Sequence, residues 1–177
     1  MHKRGLEDNT LIIGLDDSNH AGERKSEIIA ATFSFVHEDS LVKKFGKRAS
    51  YEEFQRWFST NGVDYRFAIL ENKELEHVPT NIPHVAPFLI QNFLDNYLFG
   101  IENLKIYLDG LLRKDQKEHI RRNFLEYPNL VVDNFIKKHG IHECPNIVYM
   151  ADVLSHTLYH SDFQSLSESP KRVLIPC

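Results

Sequence analysis

Residues Thr10 to Ser18 read TLIIGLDDS, a run of branched aliphatics and one glycine that stops in two adjacent carboxylates. No polar residue interrupts Leu11 to Leu15, which suits a strand buried on both faces, the central strand of an open mixed sheet. Ending such a strand in Asp16-Asp17 is costly. Charge placed there loses its hydration unless a metal, a basic side chain or open water meets it. Two further segments end in the same way: Leu104 to Asp109 (LKIYLD), and the helical stretch Ile147 to His156 (IVYMADVLSH), where Asp152 stands alone in an apolar frame. These acids are expected to meet in one site.

Working outward, Ser26 to Val36 (SEIIAATFSFV) reads as a second strand, close enough behind the first to be its antiparallel hairpin partner. Ser50 and Glu53 form a capping box at the head of a short helix with Phe54, Trp57 and Phe58 on one side and Asn61-Gly62 as its stop. Val63 to Glu71 is a third strand. After a loop over 72–83, Thr80 or Asn81 caps a helix from about Pro83 to Phe99, with Pro83 and Pro87 in or near its first turn and Gly100 at its end. Leu104 to Asp109 is the fourth strand, and residues 112–126 form a charged helix with a narrow stripe of Leu112, Ile120, Phe124 and Leu125. Asn129 to Phe135 is the fifth strand. A last helix runs from Asn146 to about His160.

Short links make the first three strands an antiparallel meander, and helical crossovers place the fourth and fifth parallel to the first. The expected fold is α/β, one domain over 1–177, with a five-stranded mixed sheet in order 3-2-1-4-5 and helices on both faces. Strands one and four are then neighbours, with Asp16 and Asp109 side by side at their carboxyl ends. That edge is where open α/β sheets bind ligands.

The composition bounds the partners. With 177 residues, 42% hydrophobic and 26% charged, the chain has room for a sizeable core. No apolar run reaches the roughly 20 residues of a membrane span, and MHKRGLEDNT lacks the apolar core of a signal peptide, so a cytoplasmic location is expected. Two cysteines, Cys144 and Cys177, are too few for a disulfide framework. The net charge of −4 gives no global basic field, yet Lys43 to Arg48 and Arg113 to Arg122 are locally basic, and His20, Arg24 and Lys25 follow the acidic strand end.

IIGLDDSNHAG resembles the first strand of type 2 ribonucleases H, where an aliphatic run with glycine leads to an Asp-Glu pair. It also resembles uncharacterised ribonuclease H-like proteins whose first strand ends in Asp-Glu-Ser, and YMADVLSH looks like the Gln-x-Ala-Asp opening of their last helix. The likeness to the ribonuclease H-like superfamily covers residues 10 to 160 in topology. It implies metal-dependent hydrolysis of phosphodiester bonds, with Asp16 as central ligand, Asp109 and Asp152 as its companions, and Asp17 where type 2 enzymes carry Glu. Ser18-Asn19-His20 replaces the Gly-Arg-Gly element with which type 2 enzymes read a ribonucleotide, so that specificity is not implied. The helix after the third strand has no Glu to complete a type 1 cluster; Gln91 and Asn92 are its polar interior positions.

Hard carboxylate oxygens suit Mg²⁺ or Mn²⁺, and two such ions about 3.5 to 4 Å apart activate water and stabilise a leaving oxygen. Successive strand residues face opposite sides, so Asp17 joins Asp16 only if the chain turns there. Arg24, Lys25, Arg113 and Lys114 follow strand ends and are candidate phosphate contacts. His156 and His160 lie one and two turns beyond Asp152. They read as a base or phosphate contact at His156, as a zinc site shared with Asp152, or as a C-terminal pair facing the helix dipole. Against the nuclease stands a second hypothesis, a catalytically inactive nucleic-acid-binding or assembly module on the same fold.

Overall fold

The structure is a computed structural model that describes residues 9–18, 26–35, 50–71, 81–97, 100–135 and 145–176. Its strands are β1 (Thr10–Asp17), β2 (Ser26–Ser34), β3 (Val63–Glu71), β4 (Asn103–Asp109) and β5 (Val131–Phe135), forming one sheet in order β3-β2-β1-β4-β5. Five helices accompany them among the described residues: α1 (Tyr51–Asn61), α2 (Asn81–Asp95), α3 (Lys114–Arg122), α4 (Asn146–Tyr159) and α5 (Phe163–Ser167). β1 is central. It pairs antiparallel with β2 and parallel with β4, while β3 is antiparallel to β2 and β5 parallel to β4.

The pleat divides the core in two. Leu11, Ile13 and Leu15 of β1 share one cluster with Ile29, Ala31 and Phe33 of β2, Leu104, Ile106 and Leu108 of β4, and the inward faces of α2 and α3. Ile12 faces the other way, with Ile28 and Ala30 of β2, Val63, Tyr65 and Phe67 of β3, and residues of α1 and α4. Both faces of β1 are therefore covered, which is why its sequence runs apolar without alternating. Each fully buried Leu, Ile or Phe contributes on the order of 1.5–3 kcal/mol.

Local signals account for α1. Ser50 Oγ accepts from the Glu53 N–H, Glu53 accepts in return from the Ser50 N–H at 2.7 Å, and Gly62 closes the helix at φ 68° with its N–H on the Phe58 carbonyl. Elsewhere tertiary packing overrides the local reading. α2 starts at Asn81 and stops at Asp95, well short of Gly100, and Pro87 sits inside the helix beyond its first turn. The burial of Val85, Ala86, Leu89, Ile90 and Phe93 against the sheet offsets that proline's missing hydrogen bond. α3 is shorter than expected because Phe124 reaches the core from the turn after it, leaving Leu125 73% exposed and outside the stripe. No helix among the described residues is long and apolar enough to cross a membrane.

The sequence also gave no sign that the segment after α4 docks on the sheet. Asp162 caps α5, and beyond it the Phe67 N–H reaches the Lys171 carbonyl at 3.1 Å and the Val173 N–H the Phe67 carbonyl at 2.8 Å, a parallel bridge on the edge of β3. Lys171 Nζ donates to Asp64, which also accepts from Arg66 at 3.1 Å. Burial works to raise the Asp64 pKa, but the Lys171 and Tyr65 hydrogen bonds and the two cationic charges outweigh it and hold the pKa below its usual value. This stabilisation is complete above the unfolded carboxyl pKa and disappears as pH falls through the depressed folded one. Lys171→Ala is accordingly expected to lose about 1 kcal/mol at pH 7, a modest figure because water screens the pair. In urea melts the gap between wild type and variant should close as the pH drops below the usual carboxyl range; a gap that persists there would assign the loss to packing.

Candidate active site

The pleat that splits the core also sorts the acids. On β1 the face toward α4 carries Ile12, Gly14 and Asp16, and on β4 it carries Lys105, Tyr107 and Asp109. Leu15 pairs with Leu108, so Asp16 and Asp109 follow at the carboxyl ends of two adjacent parallel strands. Gly110, at φ 102°, lets the chain leave the sheet directly after Asp109. α4 lies across this face and contributes Asp152, 4% exposed. Three elements thus deliver three carboxylates to one side of one sheet edge.

Their charges are coupled. Asp16 is 3% exposed, and its pKa is pushed well above the ordinary 3.8, first by burial, then by Asp109 and Asp152, with a small further push from Asp17. The Asp17 N–H donates to Asp16 Oδ1 at 2.8 Å and pulls the other way without prevailing. Asp16 Oδ2 is buried and has no hydrogen-bond partner among the described residues. An oxygen in that state is expensive to keep unless a proton or a cation meets it.

Asp17 belongs elsewhere. The strand does not turn at its end: Asp17 still pairs with Ile29, the Ser18 N–H bonds the Ile28 carbonyl at 3.0 Å, and Ser18 Oγ accepts from the Ile28 N–H at 3.0 Å. The pleat therefore assigns Asp17 to the α2 and α3 side. Glu27 of β2, 3% exposed, shares that side; a lone acid in an otherwise apolar segment is the sequence signal that marks it.

Among the described residues no group of three or more His, Cys, Asp or Glu side chains stands ready as a closed metal cage. That applies to Asp16, Asp109 and Asp152, and also to Asp152, His156 and His160, whose imidazoles instead pack together at 4.5 Å between ring centroids. Mutual repulsion among bare carboxylates keeps such acids apart. As donors, the three aspartates fit a hard divalent cation, and the buried Asp16 Oδ2, without a partner among the described residues, is the atom that fits it best.

The basic candidates scatter. Arg113 precedes α3 at the same sheet edge but is held by Asp115 at 3.0 Å, and Lys114 is exposed in the first turn. With His84, His119 and Arg122, Arg113 lines an open groove of about 430 Å³ between α2 and α3. His156 is half-buried one turn beyond Asp152. Arg24, Lys25, His20 and the Lys43 to Arg48 run lie outside the described residues. Gln91 is not interior: it is exposed and donates to Asp95 at 2.7 Å, while Asn92 accepts from the buried Arg66 at 2.9 Å.

Among solved structures, this chain is similar to the ribonuclease H2 of Pyrococcus horikoshii OT3, with a TM-score of 0.54 and 13% identity over 90% of this chain and 76% of that one. It is similar also to ribonuclease HII of Archaeoglobus fulgidus in its complex with PCNA, at 0.54 and 10% over 94% and 83%. The chain has the ribonuclease H-like fold. A mutant of Bst-RNase HIII matches at 0.52 and 15%, over 90% of this ribonuclease H-like chain and 55% of that one. No family model and no curated protein matches the sequence. At 10–15% identity the likeness carries the fold, and the case for chemistry rests on the residues of the site.

Proposed function

We propose that this ribonuclease H-like protein, acting as a single domain, is a divalent-metal-dependent nuclease that hydrolyses phosphodiester bonds of DNA or RNA. The observation that carries the reading is Asp16: a buried carboxylate at the end of the central strand, with its pKa raised by burial, Asp109 and Asp152, and one oxygen without a partner among the described residues. Asp16, Asp109 and Asp152 are the residues that would hold Mg²⁺ or Mn²⁺. An ion bound there supplies neutralisation of the crowded charge and activation of water toward phosphorus. Asp16 would be the central ligand, with Asp109 and Asp152 beside it from β4 and α4, and Asp17 would tune the charge from the opposite face of the strand. Lys114, and Arg113 once it exchanges Asp115 for phosphate, guide the nucleic-acid backbone at the sheet edge, and Arg24, Lys25 and His156 are the further phosphate contacts proposed. The reading carries with it a cytoplasmic setting, where nucleic acid and Mg²⁺ are both at hand.

The second reading, an inactive nucleic-acid-binding module, draws on the absence of a closed three-acid cage among the described residues. A panel of single-stranded, double-stranded and RNA–DNA hybrid substrates, each with Mg²⁺, Mn²⁺ or chelator, separates the two. Cleavage with either ion and none in chelator is the expected result. Nucleic-acid binding with neither cleavage nor Mn²⁺ uptake would establish the module instead.

A further inference from the structure

We infer that Thr32, through its contact with the first turn of α4, is a positioning residue that places Asp152 over Asp16. The inference rests on the metal-site reading above and extends it to a residue that carries no charge and lies outside the acidic cluster.

The observation is a backbone-to-backbone seat. Gly14 and Thr32 are paired across β1 and β2 on the face that α4 covers. A Cβ at residue 14 would lie 2.2 Å from the Ile147 carbonyl oxygen, 2.4 Å from its carbon and 2.8 Å from the Val148 nitrogen, so α4 touches the sheet with its own main chain here. Beside that contact, the fully buried Thr32 hydroxyl donates to the Ile147 carbonyl at 2.8 Å; the Gly14 carbonyl, at 3.4 Å, is the poorer acceptor of its single proton. Glycine makes room for the approach at this one position between Ile12 and Asp16, but it does not choose which turn of the helix enters. The hydroxyl does, because it is directional and addresses one carbonyl.

Distances along the two elements explain why this seat matters for the acids. From Ile147 to Asp152 the helix rises by roughly 7.5 Å, and from Gly14 to Asp16 the strand advances by roughly 6.6 Å. The two offsets nearly match. For a helix running along the strand, a seat at Gly14 and Thr32 brings Asp152 level with Asp16, in agreement with the electrostatic influence of one on the other. A slip of α4 by a single residue would move Asp152 by about 1.5 Å, enough to spoil a shared cation site.

Thr32→Val keeps the shape and removes the donor; Thr32→Ser keeps the donor and removes a methyl group. Two measurements read the outcome. Crystal structures of the metal-free proteins report the separation of Asp16 and Asp152, and calorimetric titration with Mn²⁺ reports affinity. Thr32→Val is expected to shift α4, to change the Asp16 to Asp152 separation and to weaken Mn²⁺ binding roughly tenfold or more, with kcat falling and the KM for nucleic acid unmoved. Thr32→Ser should restore the separation and the affinity. A purely structural role would lower the melting temperature of Thr32→Val in chelator while leaving separation and affinity at wild-type values, and that result overturns the inference. If wild type itself takes up no Mn²⁺, the metal reading fails on its own account, and an unchanged separation in metal-free Thr32→Val would overturn the positioning role independently.

Discussion

Asp16→Asn is expected to lower metal-dependent cleavage by about two orders of magnitude or more while leaving the fold intact. Asparagine has nearly the same shape, so what changes is charge. In wild type the folded-state pKa of Asp16 lies above the ordinary 3.8, so the folded protein holds a proton that the unfolded chain has already released. Without metal, stability therefore falls as pH rises from about that value through the raised folded one, and the full penalty is present above it. Asp16→Asn has no such penalty. Its thermal stability in chelator at pH 8 should equal or exceed that of wild type, and the advantage should vanish toward pH 4. Metal reverses the ranking. At a hundredfold excess over its dissociation constant an ion stabilises wild type by about 2.7 kcal/mol, or roughly 5 to 10 °C in Tm for a chain of this size, and the variant should gain little of this. Nucleic-acid binding in chelator should survive, because it depends on the basic residues. Wild-type cleavage by Asp16→Asn, in a preparation shown free of contaminating nuclease, would remove Asp16 from the mechanism.

Gly14→Ala should be the most damaging single methyl added among the described glycines that have ordinary backbone angles. The new carbon would sit 2.2 Å from a carbonyl oxygen that belongs to the main chain of α4 and has no rotamer by which to move aside. Either β1 bends or α4 lifts from the sheet, and lifting uncovers Ile12 and Val148, which are buried together on that face. A loss of roughly 3 kcal/mol or more follows, read as a fall in Tm of about 6 to 12 °C. Gly100→Ala is the control: no atom lies within 4 Å of its added carbon, so it should stay within about 0.5 kcal/mol of wild type. Equal melting temperatures for the two variants would show that α4 does not approach β1 so closely.

Much of the architecture was legible in TLIIGLDDS and its neighbours. An apolar run without alternation has to be covered on both faces, and segment lengths with short or helical links leave few sheet orders to choose from, so β1 falls at the centre and Asp16 beside Asp109. The capping box at Ser50 was equally plain, because all its partners lie within one turn. Helix ends were less so: Asp95 rather than Gly100 closes α2, and Phe124 rather than a longer α3 fills the core, since both depend on which side chains the sheet has room to bury. The docking of Lys171 to Val173 on β3 left no local pattern at all. An edge strand accepts backbone hydrogen bonds from any sequence that reaches it. The same holds at the site. Two strand ends and a lone acid in an apolar helix marked Asp16, Asp109 and Asp152 as candidates, but whether Asp17 shared the face of Asp16 turned on strand pairing continuing through Ile29, which no residue of the doublet reveals. The burial of Asp16, with one oxygen unpartnered among the described residues, and the seat of α4 on Gly14 and Thr32 arise only once a helix more than a hundred residues away has been laid on the strand. Sequence determines which groups carry charge and which segments must be buried; the tertiary structure decides which of those charges lose their water together, because desolvation and close approach belong to the packed chain and not to any stretch of it.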